Sequence, residues 1–170
     1  MRAELNYSIR YSKHDDIDFI ADRLRVSDQI ELRAAGITPT KALYDGYSKS
    51  PVCMTADVFY EKTGKMEPAV MFGVASFQPH VGNPWMLCTD AIDGLGLAIV
   101  RESRRWVSAM SKTYPLLTNH VHRENEFARR WIEVMGFEFP DEEPLVVYAT
   151  GEEFLRFEFR SGNPCASELT

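Results

Sequence analysis

Two runs rich in β-branched and aromatic residues, Val52 to Tyr60 and Ala69 to Phe77, stand on either side of the charged, glycine-containing stretch Glu61-Lys-Thr-Gly-Lys. Runs of that composition joined by so short a turn satisfy their backbone groups by pairing antiparallel with each other. What comes next imposes the opposite demand. After the turn formers His80 to Pro84, a compact strand, Trp85 to Thr89, passes through a glycine-bearing turn into an amphipathic helix. There Ile99, Val100, Ser103, Trp106, Val107 and Met110 make one face and Arg101, Glu102, Arg104 and Arg105 the other. Pro115 breaks this helix, Leu116 to Val121 reads as a further strand, and Asn125 to Met135 as a helix with Phe127, Ala128, Trp131 and Ile132 inward and Gly136 as its stop. Phe137 and Phe139 open another strand, and Leu145 to Tyr148 and Phe154 to Phe159 add two short ones. The two strand-helix-strand steps call for parallel neighbours, so hairpin and crossovers together predict an α+β chain: a mixed central sheet of about six to seven strands with helices on both faces.

The N-terminal part fits the same architecture. Tyr7 to Tyr11 alternates like a short strand, and Ser12-Lys-His-Asp15 reads as a capping box opening a helix with Ile17, Ile20, Ala21 and Leu24 inward. A second helix, Asp28 to Ala35, stops at Gly36, and Thr38-Pro39 starts a third whose buried side is Ala42, Leu43 and Tyr47. No repeat or linker divides the chain, which predicts one domain over residues 1–160 and a flexible tail over 161–170.

Charge and cysteine usage narrow the function classes. With 19 Lys+Arg against 25 Asp+Glu the net charge is -6, which repels phosphate backbones at long range and argues against nucleic acid as the main partner. Three scattered cysteines, Cys53, Cys88 and Cys165, read as thiols of a reducing compartment. Neither a signal peptide nor an apolar run of membrane-spanning length is present, so no membrane association is expected.

Two segments carry a family resemblance. Thr89-Asp-Ala-Ile-Asp-Gly-Leu-Gly-Leu-Ala-Ile-Val100 leads a strand through Gly-x-Gly into a helix, and Asn125-Glu-Phe-Ala-Arg-Arg-Trp-Ile-Glu-Val-Met-Gly-Phe137 pairs Asn-x-x-Ala with a following Gly-Phe. On these the sequence, from about Ile9 to Phe139, resembles the GCN5-related N-acetyltransferase (GNAT) superfamily. Further segments, among them Asp28-x-x-Glu31, Met71-Phe-Gly-Val74, Pro84-Trp-Met-Leu-Cys-Thr-Asp90 and Ser103-Arg-Arg-Trp106, resemble a bacteriophage branch of that fold which includes internal virion proteins of short-tailed phages. The resemblance implies acetyl-CoA as co-substrate, an amine of a protein or small molecule as acceptor, and the host cytoplasm or virion interior as location. A host bacterial protein or a virion protein is the implied partner. The fold's habit of dimerising, with aromatics such as Tyr44, Tyr47 and Phe59, adds a homodimer to the expectations.

Carried onto this chain, the resemblance puts the pyrophosphate at Gly94-Leu95-Gly96, where amides at a helix N-terminus favour an anion. The same glycines equally read as a tight strand-to-helix turn. The chain departs from the family here: Ala91 stands where an Arg or Gln is usual, and Asp93 adds negative charge. By the same resemblance the strand ending Leu87-Cys88-Thr89 offers free backbone groups to the pantetheine arm and the acyl carbonyl, and Asn125 contacts that arm or caps its helix, or both. Ile132 replaces a tyrosine acid found in many members. Candidates for the base that an ammonium acceptor requires are Asp28, Glu31 and Asp90. Asp28 and Glu31, three apart, share a helix face, as solvated carboxylates also would. Arg101, Arg104, Arg105, Arg129 and Arg130 are solvated faces or a seat for the coenzyme's 3′-phosphate. His120-Val-His122 lacks the paired spacing of a metal site, and no metal is expected. Two functions follow: an acyl-CoA-dependent N-acyltransferase, or a chain that keeps this fold without the chemistry and acts by binding a protein.

Overall fold

The computed structural model describes residues 6–140, 143–147 and 149–162. Strand β1 (Tyr7–Tyr11) is followed by helices α1 (His14–Asp22), α2 (Val26–Ala34) and α3 (Pro39–Lys49). Strands β2 (Cys53–Tyr60), β3 (Lys65–Gln78) and β4 (Val81–Cys88) come next, then a short 3-10 helix at Asp90–Leu95 and helix α4 (Ala98–Thr113). The chain continues through β5 (Leu116–His122), α5 (Glu126–Val134), β6 (Leu145–Val147) and β7 (Glu152–Arg160). The strands form one seven-stranded sheet in the order β1-β2-β3-β4-β5-β7-β6.

The alternation of side chains along β3 and β4 separates two faces. Met71, with Trp85 and Leu87 against it, packs under α1 and α3 with Ile17, Ile20 and Leu43. Val70, Phe72, Met86 and Cys88 face the other way, towards the 3-10 helix and Ile99 of α4. Further along that face Val107 and Met110 of α4 and Trp131 and Ile132 of α5 cover Leu117, Val121, Phe157 and Phe159. The mixed α+β sheet flanked by helices on both faces is thus as the pattern predicts.

Several local expectations are corrected. The capping box of α1 starts one residue later, at Lys13, whose amide donates to Asp16 Oδ2 at 2.8 Å. Ser12 is drawn off to the Thr55 hydroxyl, 2.8 Å away. The stretch from His80 to Pro84 is mostly strand: the β3–β4 connection is a tight turn, with His80 at φ 66, and Val81 already pairs with Gln78. Only the first crossover is parallel, β4 beside β5; the neighbour of β5 on its other side is β7, antiparallel. The segment from Phe137 to Phe139 contributes one antiparallel bridge, Glu138 to Glu158, and no strand. Phe127 points out, 65% exposed. The tail from residue 163 onward and Tyr148 lie outside the described residues.

The feature that positions the site is the meeting of β4 and β5. They pair only at Val81–Leu116 and Gly82–Leu117, after which the strands part. Two asparagines bridge the opening: Asn83 Nδ2 donates to the Thr118 carbonyl at 2.8 Å and Asn119 Nδ2 to the Pro84 carbonyl at 2.9 Å. Beyond them the sheet is split.

Candidate functional site

A cleft of about 720 Å³ runs through this split, lined on one face by Phe72, Met86 and Trp106 and on the other by Arg25, Asp28 and Glu31. Helix α2 crosses the mouth of the gap because its N-terminus is sewn to the end of β4. The Arg25 amide donates to the Cys88 carbonyl at 2.9 Å, and the Cys88 amide donates to Asp28 Oδ2 at 2.9 Å. Asp28, 6% exposed, takes Arg25 Nε on its other oxygen at 2.8 Å. Both carboxylate oxygens of Asp28 are thereby engaged, and it holds α2 and β4 together.

Glu31 lies one turn further along the same face. Its Oε2 accepts from Asn125 Nδ2 at 2.7 Å. Burial lifts the Asp28 carboxyl above the ordinary aspartate range, outweighing the pull of Arg25 and the Cys88 amide. Burial also lifts Glu31; Asn125 opposes it, the nearby Asp28 charge adds to it, and the His122 amide opposes it in turn. A carboxyl so raised is a better proton acceptor at neutral pH than a solvated one, provided one oxygen stays open to the cleft. Glu31 meets that condition, and Asp28 does not.

The other expected site residues fall out differently. Asp90 is exposed at the start of the 3-10 helix, beside Lys62, and does not line the cleft. The amide and carbonyl of Cys88 are not free as expected, since Asp28 and Arg25 take them. The Thr89 amide pairs with the Ala69 carbonyl at 2.8 Å, so the alternation of the antiparallel ladder turns the backbone of Met86, not of Leu87, towards the gap. Asn125 caps α5, accepting from the Ala128 amide at 3.1 Å, while its NH₂ serves Glu31, which leaves little of it for a pantetheine arm.

The Gly94-Leu95-Gly96 stretch does not lead straight into a helix. It ends the 3-10 helix that Thr89 caps through the Ala91 amide, Leu95 is buried, and Gly96 sits at φ 48 with its amide on the Asp93 carbonyl at 3.3 Å. The turn reading of the two glycines therefore accounts for their local structure. The donors left for an anion are those at the start of α4, where Leu97 provides no side-chain cap and the first turn carries no acid. Of the arginines, Arg104 donates to the Val134 carbonyl, Arg105 pairs with Glu102 and Arg101 donates to the Tyr7 hydroxyl. Arg129 donates to the Arg123 carbonyl, and Arg130 is a loose partner of Glu126.

Two residues escape sequence reading. Arg25 stands before the expected start of its helix and carries no motif. His122, weighed above only as a metal ligand, is buried, with Nε2 on Glu152 Oε2 at 2.9 Å. The described residues hold no cluster of three or more metal-ligating side chains, and none of their helices is long and apolar enough to cross a membrane.

No family model matches the chain, and no curated protein does. Solved structures match it in fold. An aminoglycoside N(6′)-acetyltransferase from Legionella pneumophila superposes with a TM-score of 0.65 at 10% identity, covering 99% of this chain and 96% of its own. The spermidine N-acetyltransferase of Vibrio cholerae, solved with CoA and spermine, gives 0.61 at 13% identity over 91% and 95%. An acetyltransferase of the GNAT family from Streptococcus pneumoniae gives 0.59 at 18% identity over 92% and 99%. The chain therefore has the GNAT fold, and likeness at these identities speaks of fold alone.

Proposed function

We propose that this chain is an acyl-CoA-dependent N-acyltransferase acting on an amine, with Glu31 as the base. The observation that carries the reading is the parting of β4 and β5 after Gly82 beside a carboxyl held above its ordinary range by burial. The fold neighbours, one of them solved with CoA, support it. When bound, acetyl-CoA supplies the acyl carbon. The chain's own groups do the rest. Amides at the start of α4 hold the pyrophosphate, the gap beyond Asn83 and Asn119 admits the pantetheine arm, and the backbone of Met86 orients the thioester. Glu31 accepts the proton of the incoming ammonium, which frees the nitrogen lone pair for attack. Asp28 fixes α2 against β4 and so sets where Glu31 stands. With Ile132 in place of an acid, the departing thiolate takes its proton from solvent.

A second reading, a GNAT-fold protein without turnover that binds a host or virion protein, is favoured by one feature: Asp93 lies on the cleft close to where the pyrophosphate would sit, and Ala91 supplies no compensating charge. The sequence resemblance to the phage branch supports a phage setting for either reading. Calorimetry and thermal shift with acetyl-CoA, followed by acetyl transfer to a panel of amines, test the proposal. Binding with turnover supports the enzyme; no binding and no stabilisation at millimolar acetyl-CoA leaves the second reading.

A further inference from the structure

The guanidinium of Arg25 is placed for more than its ion pair. Its side chain is only 15% exposed, yet it lines the cleft. Its Nε is spent on Asp28, and among the described residues neither Nη meets an acceptor. The exposed ring of Phe127 lies 5.7 Å from the guanidinium carbon, on the rim of the same cleft. The two Nη groups are not sealed in the core but open to solvent at the cleft, where they are available as donors to a ligand. The fork they form matches a carboxylate.

We propose that Arg25 binds a carboxylate on the acceptor, so that the substrate is an amine bearing a carboxylate on a neighbouring carbon, of the amino-acid class. This rests on the acyltransferase reading and specifies its acceptor. The spacing supports so short a substrate. Arg25 is anchored at Asp28, and Glu31 follows Asp28 by three residues, which is about 4.5 Å of helical rise. An amine whose carboxylate sits on Arg25 thus reaches Glu31 only if the two groups are close in the molecule.

The test compares acids with their amides, using acetyl-CoA with L-alanine against L-alaninamide and L-phenylalanine against L-phenylalaninamide. The proposal expects the acid to be favoured at least 10-fold in kcat/KM, mainly through KM. It expects Arg25→Lys, which keeps the charge that partners Asp28 but loses the fork, to bring the ratio towards 1. Arg25→Gln combined with Asp28→Asn removes the ion pair as a unit and should do the same, which guards against a single variant that fails to fold. Binding of N-acetyl-L-phenylalanine against its amide by calorimetry, without coenzyme, gives a readout apart from turnover. Equal use and equal binding of acid and amide by the wild type would overturn the proposal while leaving the acyltransferase reading intact. Absence of acetyl-CoA binding and of all transfer would instead remove that reading, and this inference with it.

Discussion

Glu31 and Asn125, 94 residues apart in sequence, are joined by a 2.7 Å hydrogen bond that ties α2 to the N-cap of α5 across the mouth of the cleft. One side chain thus does two jobs: Asn125 Oδ1 takes the Ala128 amide and its NH₂ steadies Glu31. Asn125→Ala should cost about 1 kcal/mol as a lost cap. It should also lift Glu31 further, because the bond it removes favours the charged carboxylate. Asn125→Asp keeps the cap and sets a like charge against Glu31, so the acid limb of the pH–rate profile should move to higher pH in both variants. A shift in melting temperature with an unmoved profile would mean that the cap is the whole of its role.

Glu31→Gln preserves an acceptor for Asn125 but cannot take a proton, and should lower kcat by on the order of 100-fold or more. The accompanying stability change has a definite sign. The folded-state pKa of Glu31 lies above its unfolded value, so the stability linked to its protonated form is complete below the ordinary glutamate range and is lost as pH rises through the folded value. The Gln variant lacks that loss. Its melting temperature should therefore gain on the wild type between pH 5 and pH 8, and parallel curves over that range would refute the assignment.

How much of this was legible in the sequence depends on how local the cause is. The start of α3 was readable because Thr38 accepts from the Lys41 amide within its own first turn and Pro39 needs no donor. The β2–β3 hairpin was readable for the same reason. The capping box of α1 was misplaced by one residue because Ser12 is diverted by Thr55, a partner 43 positions away that no local pattern reveals. The second crossover was misjudged because a helix between two strands requires a crossing but does not say that β7 will take the place beside β5. At the site, the spacing of Asp28 and Glu31 put both on one face, yet it could not say that Cys88 would consume one carboxylate and Asn125 steady the other. Arg25 was invisible because its meaning lies in what its fork does not touch.

Asp16 behaves oppositely to Glu31 and offers a control away from the cleft. Burial would raise its carboxyl, but two bonds from Arg10, with the Lys13 amide and the Thr55 hydroxyl, bring it below the ordinary range. Its contribution is therefore present above that range and is lost as pH falls through the lowered folded value. Asp16→Asn should cost about 2 kcal/mol at pH 7 by leaving Arg10 with Asp57 alone. The gap between variant and wild type in urea midpoints should narrow below about pH 4. A gap that is constant with pH would show that packing, and not charge, is at stake.

Gly82 sits at the vertex where β4 and β5 part, and a Cβ there would come within 2.7 Å of a Val74 methyl and 2.9 Å of Leu117 and Tyr114. Gly82→Ala should destabilise by about 1–3 kcal/mol, as overpacking does. It should also weaken acetyl-CoA binding, because the vertex sets the angle at which the gap opens. Loss of stability with unchanged affinity would detach the gap from coenzyme binding.

Asp93 tests where the pyrophosphate goes. It is exposed, it lines the cleft, and its carbonyl already holds the Gly96 amide, so Asp93→Asn changes the charge while sparing the turn. A charge near a helix N-terminus is worth roughly 0.3–1 kcal/mol at low ionic strength. If the uncapped start of α4 receives the pyrophosphate, removing a carboxylate beside it should tighten acetyl-CoA about two- to fivefold, and the gain should shrink between 20 and 500 mM salt as screening sets in. Gly96→Val supplies the complementary measurement. With φ at 48 and nothing within 4 Å of where a Cβ would stand, its cost comes from the backbone alone, of order 1–3 kcal/mol. On the turn reading, affinity for acetyl-CoA survives in Gly96→Val wherever the protein is folded, while Asp93→Asn improves it. The reverse pattern, affinity abolished by Gly96→Val at temperatures well below its melting point and untouched by Asp93→Asn, would return the pyrophosphate to the glycines and take it from the start of α4.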